Sequence, residues 1–319
     1  MVINKPHIIS AYNRIAPIIN RTPIMQSSQI NAIAGANLYF KCENFQKVGA
    51  FKYRGANNAL LSLPKERLKS GVATHSSGNH AQALALAANN LGVKAYIVMP
   101  NNSPKVKVEA VKGYGADIYF CEPTLQARET TLQQIVEKTG AEFVHPYDRS
   151  EIIAGQGTVA LELLQEIPDL EVIIAPVGGG GLISGTAIYS KNFNPNIKIF
   201  AAEPSGANDA YQSFYSKTWT PSSNPKTICD GLLTSLGKQN FAYIAQYVDD
   251  VLITDDKQII DAMKLIYERM KIIVEPSSAI TLAVVLANPQ LFENKKIGLI
   301  LSGGNVDLES FFKHIKNKI

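Results

Sequence analysis

Cysteine is scarce in this chain: Cys42, Cys121 and Cys229 are the three in 319 residues, far apart and without a CxxC pair. That excludes a disulfide framework and a cysteine-built zinc site, and it fits a reducing compartment. No apolar run reaches the roughly 18 residues that spanning a bilayer requires. The N-terminus has no signal-peptide core, so the expected location is cytoplasmic. Charge of one sign is not concentrated anywhere. The 31 Lys+Arg and 27 Asp+Glu leave a net charge of +4, with no basic block. Nucleic acid and membrane are therefore not expected partners. Internal repeats and low-complexity segments are also missing. What is present is 46% apolar and 18% charged, the composition of a globular protein with one large or two modest domains.

The pattern that fills the chain is alternation of short apolar strands with helices. Helical spacing over 7–19 is followed by a short extended segment at 22–25. A helix capped by Ser27 and closed by Gly35 comes next, then a strand over 38–42. Lys52 stands at the start of a helix through 61. From Gly71 the order is strictly strand–helix, through strands at 72–74, 95–99, 118–121 and 143–144. This predicts a parallel sheet covered by helices and a small domain over 70–148, inserted between 1–69 and 149–319. Alternation resumes with a helix over 158–166 and strands at 172–176, 197–202, 251–253 and 297–301. Helices are expected at 182–189, 256–270 and 277–286, and 213–227 reads as a polar loop.

Three Gly- or Ser-rich loops each follow an apolar strand, at the carboxyl end where α/β sheets bind ligands. Thr74-His75-Ser76-Ser77-Gly78-Asn79-His80 opens a helix and offers hydroxyls and amides to a carboxylate or phosphate, or serves simply as a cap. His75 and His80 have no ligand partners at a recognisable spacing and read as structural. Val177-Gly178-Gly179-Gly180-Gly181-Leu182 frees the backbone to wrap an anion ahead of a helix. It is not a Walker loop. A loose GxGxxxG at Gly179, Gly181 and Gly185, with Glu203 after the next strand, leaves a dinucleotide site as an alternative. Leu301-Ser302-Gly303-Gly304-Asn305 places a hydroxyl at a strand end. Glu203 and Asp209 flank a short loop that either holds a hard cation or is a solvated acidic turn.

Against this background stands Val48-Gly49-Ala50-Phe51-Lys52-Tyr53-Arg54-Gly55-Ala56, a lysine set among aromatic and small residues, where an amine can become a nucleophile or base. With Thr22-Pro23, Glu43-Asn44-Phe45-Gln46, Ser76-Ser77-Gly78-Asn79-His80-Ala81-Gln82, Ala154-Gly155-Gln156-Gly157-Thr158, Gly178–Gly181, Glu275-Pro276 and Ser302-Gly303-Gly304-Asn305, it resembles the fold-type II pyridoxal-phosphate enzymes over nearly the whole chain. Within them it is most similar to the branch of eukaryotic serine racemases and of serine, threonine and hydroxyaspartate dehydratases.

The resemblance implies an α/β fold of the tryptophan synthase β type, with two open twisted sheets flanked by helices. It implies a large cofactor-binding domain (1–69 and 149–319) and a small mobile one (70–148). It implies that Lys52 carries the cofactor as a Schiff base and works one face of it. Phe51 and Asn79 flank the ring. Gly178, Gly179, Gly180, Gly181 and Leu182 hold the phosphate, and Ser302 bonds the ring nitrogen. Ser76, Ser77, Gly78 and Asn79 hold the substrate carboxylate. Glu203, Asp209 and the Ala207 carbonyl match a site for Mg2+, or Ca2+ or Mn2+. Ser77, alanine in many biosynthetic threonine dehydratases, implies an acid on the face opposite Lys52. It thus implies racemisation of serine alongside β-elimination, with a dehydratase for threonine or 3-hydroxyaspartate left open. Ser27, Ser28, Lys47, Gln82 and Tyr114 match a site where relatives bind activating ATP. Val48 and Tyr147 depart from that pattern, which leaves ATP activation open. A small amino acid is the implied substrate and a homodimer the implied assembly.

Overall fold

The computed structural model describes residues 2–76, 78–103 and 105–316. Among the described residues, ten strands divide between two sheets. In chain order they are β1 (Ile24–Met25), β2 (Asn37–Cys42), β3 (Val72–His75), β4 (Ala95–Pro100), β5 (Asp117–Cys121), β6 (Glu142–Phe143), β7 (Val172–Pro176), β8 (Lys198–Pro204), β9 (Asp250–Thr254) and β10 (Lys296–Leu301). The six-stranded sheet runs β1-β2-β10-β7-β8-β9, and the four-stranded sheet runs β5-β4-β3-β6. Every pairing is parallel except β1 with β2. The expected alternation is thus present, and the four-stranded sheet is built from strands lying between Val72 and Phe143.

Parallel strands covered on both faces carry apolar residues at every position, not every second one. β4 and β7 are buried throughout, whereas the edge strand β5 is largely exposed. Along β7 successive side chains point to opposite faces. Ile173 and Ala175 join one core cluster with Ile8, Ile153 and Ile183. Val172 and Ile174 join the other with Met263, Ile280 and Phe292.

The structure corrects three expected elements and adds one helix. The helix predicted over 158–166 runs Ser150–Glu166. Gly155 and Gly157 are poor helix formers, yet they are what the packing requires. A Cβ on Gly155 would lie 2.6 Å from Gly55 Cα, and one on Gly157 would lie 2.8 Å from Gly185 O. These glycines let the lysine helix Lys52–Ser62 and the helix Gly181–Phe193 approach closely. The polar stretch over 213–227 is partly helical, as Asp209–Ser216, before becoming a loop. Helix Lys238–Tyr247 went unforeseen because it buries a polar residue, Asn240, beside Tyr243 and Ile244. The strand expected over 197–202 continues to Pro204, which carries Glu203 into the sheet.

Four buried charges lock the lysine helix to the large sheet. Arg54 donates to both Glu43 oxygens at 2.7 and 2.8 Å and to both Glu162 oxygens at 2.8 Å. Lys41 donates to Glu162 at 2.7 Å and to Thr22 O at 2.7 Å. Two cations and two anions, all out of water, leave no net charge uncompensated.

Candidate active site

Lys52 is the first residue of its helix, and no side chain caps it. Backbone contacts fix it instead. Phe51 N donates to Ser302 O at 3.0 Å, and Gly304 N donates to Gly49 O at 2.9 Å. Gly49 has φ +66, and a Cβ there would stand 2.8 Å from the Asn305 carboxamide oxygen, so glycine is required. The Ser302 loop therefore lies directly against the lysine segment. Lys52 Nζ donates to Pro146 O at 2.9 Å and sits 5.3 Å from the Phe51 ring centre and 5.9 Å from that of Tyr147. Desolvation pulls its pKa down to about 8, against an opposing pull from Glu275. Such an amine is available as a nucleophile or base near neutral pH.

The four-glycine loop follows β7 and opens the helix Gly181–Phe193. A Cβ on Gly178 would lie 2.9 Å from Leu232 Cα, and one on Gly179 would lie 2.2 Å from Tyr147 Cγ. Gly180 has φ +91. A loop that tolerates no side chain presents its bare backbone, together with a helix N-terminus, to an anion. Asn240 pins it, donating to Gly179 O at 2.7 Å and to Tyr147 O at 3.1 Å. Asp148 in turn accepts from Gln239 N at 3.1 Å and from Asn240 N at 3.3 Å. Neither Asn240 nor Asp148 was legible from the sequence, since each works from a segment without periodicity. Leu182 is buried in the first helical turn.

Ser302 is buried just past β10, its hydroxyl 3.1 Å from Ser278 Oγ. Ser278 also accepts from Gly303 N at 2.7 Å and donates to Gly303 O at 2.6 Å, holding the turn closed.

On the other side, Asn79 begins the helix Asn79–Asn90. Its Nδ2 donates to the Glu275 carboxylate at 2.9 and 3.1 Å, and its Oδ1 accepts from Asn305 Nδ2 at 3.0 Å. Burial raises Glu275 to about 7, with a further push from Asp230. The sequence marked Glu275 and Asn305 only as parts of motifs; the structure shows them orienting Asn79. Ser76 N donates to Val98 O at 3.0 Å, and Gly78 N donates to Ser76 Oγ at 3.3 Å. Ser77 lies outside the described residues. His75 and His80 are kept neutral by burial, His75 falling to about 4, in keeping with a structural role.

Glu203 and Asp209 do not form a solvated turn. Both are buried, with Ala207 buried between them. Glu203 accepts from Ala210 N at 2.9 Å and Tyr211 N at 2.7 Å, and Asp209 accepts from Leu236 N at 2.7 Å. Burial holds Glu203 well above the usual carboxylate range and Asp209 at about 6. Among the described residues, no group of three or more His, Cys, Asp or Glu is placed to hold a metal. The dinucleotide alternative also gives way. Glu203 is engaged by backbone amides, and Gly185 serves helix packing, since a Cβ there would meet Gly157 N at 2.5 Å. Of the residues matched to a nucleotide, Ser27 and Ser28 line a polar groove with Glu268, Arg269 and Lys271. Lys47 lies 5.8 Å from the Tyr53 ring centre, Gln82 is buried, and Tyr114 packs against the core cluster that includes Val48.

An amine flanked by an aromatic ring, a glycine cradle for an anion and a hydroxyl-bearing turn defines a lysine site for an aldehyde cofactor that carries a phosphate. The pyridoxal-phosphate dependent enzyme family matches residues 15–303, and the chain belongs to it. It is similar to serine racemase from Dictyostelium discoideum, at 51% identity with 96% of each chain covered. It is also similar to L-threo-3-hydroxyaspartate ammonia-lyase from Saccharomyces cerevisiae, at 45% identity with 98% of this chain and 96% of the relative covered. The structure of maize serine racemase superposes with a TM-score of 0.94 at 46% identity, covering 100% of this chain and 99% of that one. The residues present fit the cofactor, because the cradle at Gly178–Gly181 leaves no room for side chains and the Lys52 amine is desolvated. Among the described residues no helix is long and apolar enough to cross a membrane.

Proposed function

We propose that this enzyme interconverts L- and D-serine and also dehydrates serine to pyruvate and ammonia. The observation that carries the reading is Lys52, a desolvated amine held at 2.9 Å by Pro146 O, on a segment whose Phe51 N–H donates to Ser302 O. In this reading Gly178–Gly181 and Leu182 seat the phosphate, Phe51 and Asn79 flank the ring, and Ser302 faces its nitrogen. When bound, pyridoxal phosphate withdraws electrons from the substrate Cα, and a neutral hydroxyl partner at the ring nitrogen moderates that pull. Ser76, Gly78 and Asn79 orient the substrate carboxylate. Lys52 takes the Cα proton on one face, and Ser77, assigned by the resemblance, delivers one on the other.

Residues 70–148 act as a small unit over the larger one. Glu203, Asp209 and the Ala207 carbonyl take a divalent cation, whose charge would offset two buried carboxylates. Ser27, Ser28, Lys47, Gln82 and Tyr114 belong to a nucleotide site shared across a homodimer, and the enzyme works in the cytoplasm. A second reading, a dehydratase acting on 3-hydroxyaspartate, is favoured by the similarity to the yeast ammonia-lyase.

A product assay separates the two. Purified holoenzyme is given L-serine, L-threonine and L-threo-3-hydroxyaspartate, with and without ATP. D-serine from L-serine is the expected outcome, and keto-acid from hydroxyaspartate with no D-serine would replace the first reading by the second. Ser77→Ala should abolish D-serine while sparing some pyruvate formation. Equal loss of both products would remove the assignment of two opposed acid–base groups.

A further inference from the structure

The site is built on both sheets, and one ion pair joins its two sides. Lys107 lies on the helix Lys105–Gly113, between β4 and β5, and pairs with Asp230 in the turn Asp230–Leu232. Among the described residues it is the one ion pair joining 72–143 to the chain beyond residue 150. Both ends stand at the chemistry. On one side, a Cβ on Gly78 in the carboxylate loop would find Lys107 Nζ at 3.8 Å and, among the described residues beyond its chain neighbours, nothing else within 4 Å. On the other, the turn backs the phosphate cradle, since a Cβ on Gly178 would meet Leu232 Cα at 2.9 Å and Gly231 O at 3.3 Å. Gly231 N donates to Ser277 Oγ at 3.2 Å, tying the turn to the helix that follows Glu275.

The exposures are unequal, and this indicates which partner is confined. The Lys107 side chain is 11% exposed, the Asp230 side chain 47%. A lysine ammonium that far out of water needs a counter-charge. Two carboxylates supply it, Asp230 directly and Glu275 through its field. The third tie across the gap, Asn79 to Glu275, ends on the same carboxylate.

We infer that the Lys107–Asp230 pair is a clasp that holds the carboxylate-binding loop against the cofactor side, making Lys107 a positioning residue for substrate binding. This rests on the proposed reaction only for its kinetic arm. The charges predict an asymmetry. Removing Lys107 takes away the cation that acts on both Asp230 and Glu275, leaving the Lys52 amine as the remaining positive charge acting on Glu275, whereas removing Asp230 leaves Lys107 still opposed by Glu275. Lys107→Met is therefore the more damaging change, and adding Asp230→Asn to it costs nothing further, because members of one pair are not additive.

Hydrogen–deuterium exchange on the cofactor-free protein tests the clasp without turnover. Lys107→Met and Asp230→Asn should each speed exchange in Lys105–Gly113 and Asp230–Leu232, and Lys107→Arg should not. Unchanged exchange in both segments for both variants would overturn the clasp. With the holoenzyme, Lys107→Met should raise KM for L-serine about tenfold, and Asp230→Asn about threefold, with kcat within about threefold; the double variant should be no worse than Lys107→Met. A fall in kcat at unchanged KM, or additive effects in the double variant, would overturn the positioning role. Altered exchange with no turnover of serine by the wild type would keep the clasp and reject the serine reading instead.

Discussion

Two loops in this molecule start from the same device and end as opposites. Gly178–Gly181 and the described residues Ser76, Gly78 and Asn79 each follow a parallel strand and lead into a helix. The first is immobilised from every side. Gly180 has φ +91, Gly178 abuts Leu232, Gly179 abuts Tyr147, and Asn240 holds the Gly179 carbonyl. The second is held by side-chain ties, Asn79 to Glu275 and Lys107 to Asp230, and among the described residues a Cβ on Gly78 would meet only Lys107 Nζ, at 3.8 Å. A fixed backbone seat suits a resident group that stays through many turnovers. A loop held by side chains suits a substrate that must enter and leave.

The sharpest break of that contrast is Lys52→Ala. It should remove the visible absorbance of the bound cofactor and lower turnover by at least about 10⁴-fold, as loss of a reacting group does. Retained absorbance would assign the anchor to another lysine. Next come the two glycines. Gly180→Ala forces a left-handed alanine against Asn240, whose Cβ would be 2.7 Å from the added methyl. Such strain is of order 1–3 kcal/mol, so cofactor affinity should fall by about tenfold to a hundredfold in a pyridoxal phosphate titration. Gly78→Ala should leave that affinity within about twofold and raise only the KM for serine. Equal loss of cofactor in both variants would erase the distinction between the sides.

How much of this was legible beforehand follows the same division. The run of strands within 72–143 and the three loops could be read, because strand periodicity and glycine runs are local signals, whereas Lys52 stood out only together with the family's motifs. The long helix Ser150–Glu166 could not, because Gly155 and Gly157 look like breakers until the opposing Gly55 and Gly185 are known. Asn240, Asp148, Ser278 and Asp230 were likewise invisible as site residues. Each acts on a loop distant in the chain, and nothing in its own neighbourhood marks it. The class of the enzyme came from motifs that matched a family, and the supporting shell came only from coordinates.

A smaller effect tests the environment of Lys52 itself. Its pKa is lowered from 10.5 to about 8. Only the neutral amine attacks an aldehyde, so capture of pyridoxal phosphate by the cofactor-free protein should rise about tenfold per pH unit below that value and level off above it. Burial disfavours the charged form, so the folded state binds fewer protons than the unfolded chain between the two values, and stability attributable to this group rises with pH in that window. A capture rate still climbing toward pH 10 would mean an amine in water and would contradict the desolvated site.

The smallest expected effect comes from two groups of buried charge. Around Arg54 the cations are built in: Lys41 and Arg54 face Glu43 and Glu162, and every charge has its opposite. Around Glu203 the carboxylates accept from backbone amides, with no ion pair to either among the described residues, and Asp209 adds a further push upward. The first group is complete within the chain, and the second is short of positive charge. A divalent cation at about a hundred times its dissociation constant stabilises a folded protein by about 2.7 kcal/mol, worth several degrees in melting temperature at this size. Chelator should therefore lower the melting temperature by several degrees and Mg2+ should restore it, while Glu203→Gln should abolish the response to both. The same chelation should leave the melting temperature of an Asp209→Asn, Glu203→Gln double variant unmoved. A wild type indifferent to chelator and to Mg2+ would mean that the two carboxylates are satisfied by protonation and backbone amides alone, and the contrast with the Arg54 group would then be one of proton uptake, not of metal binding.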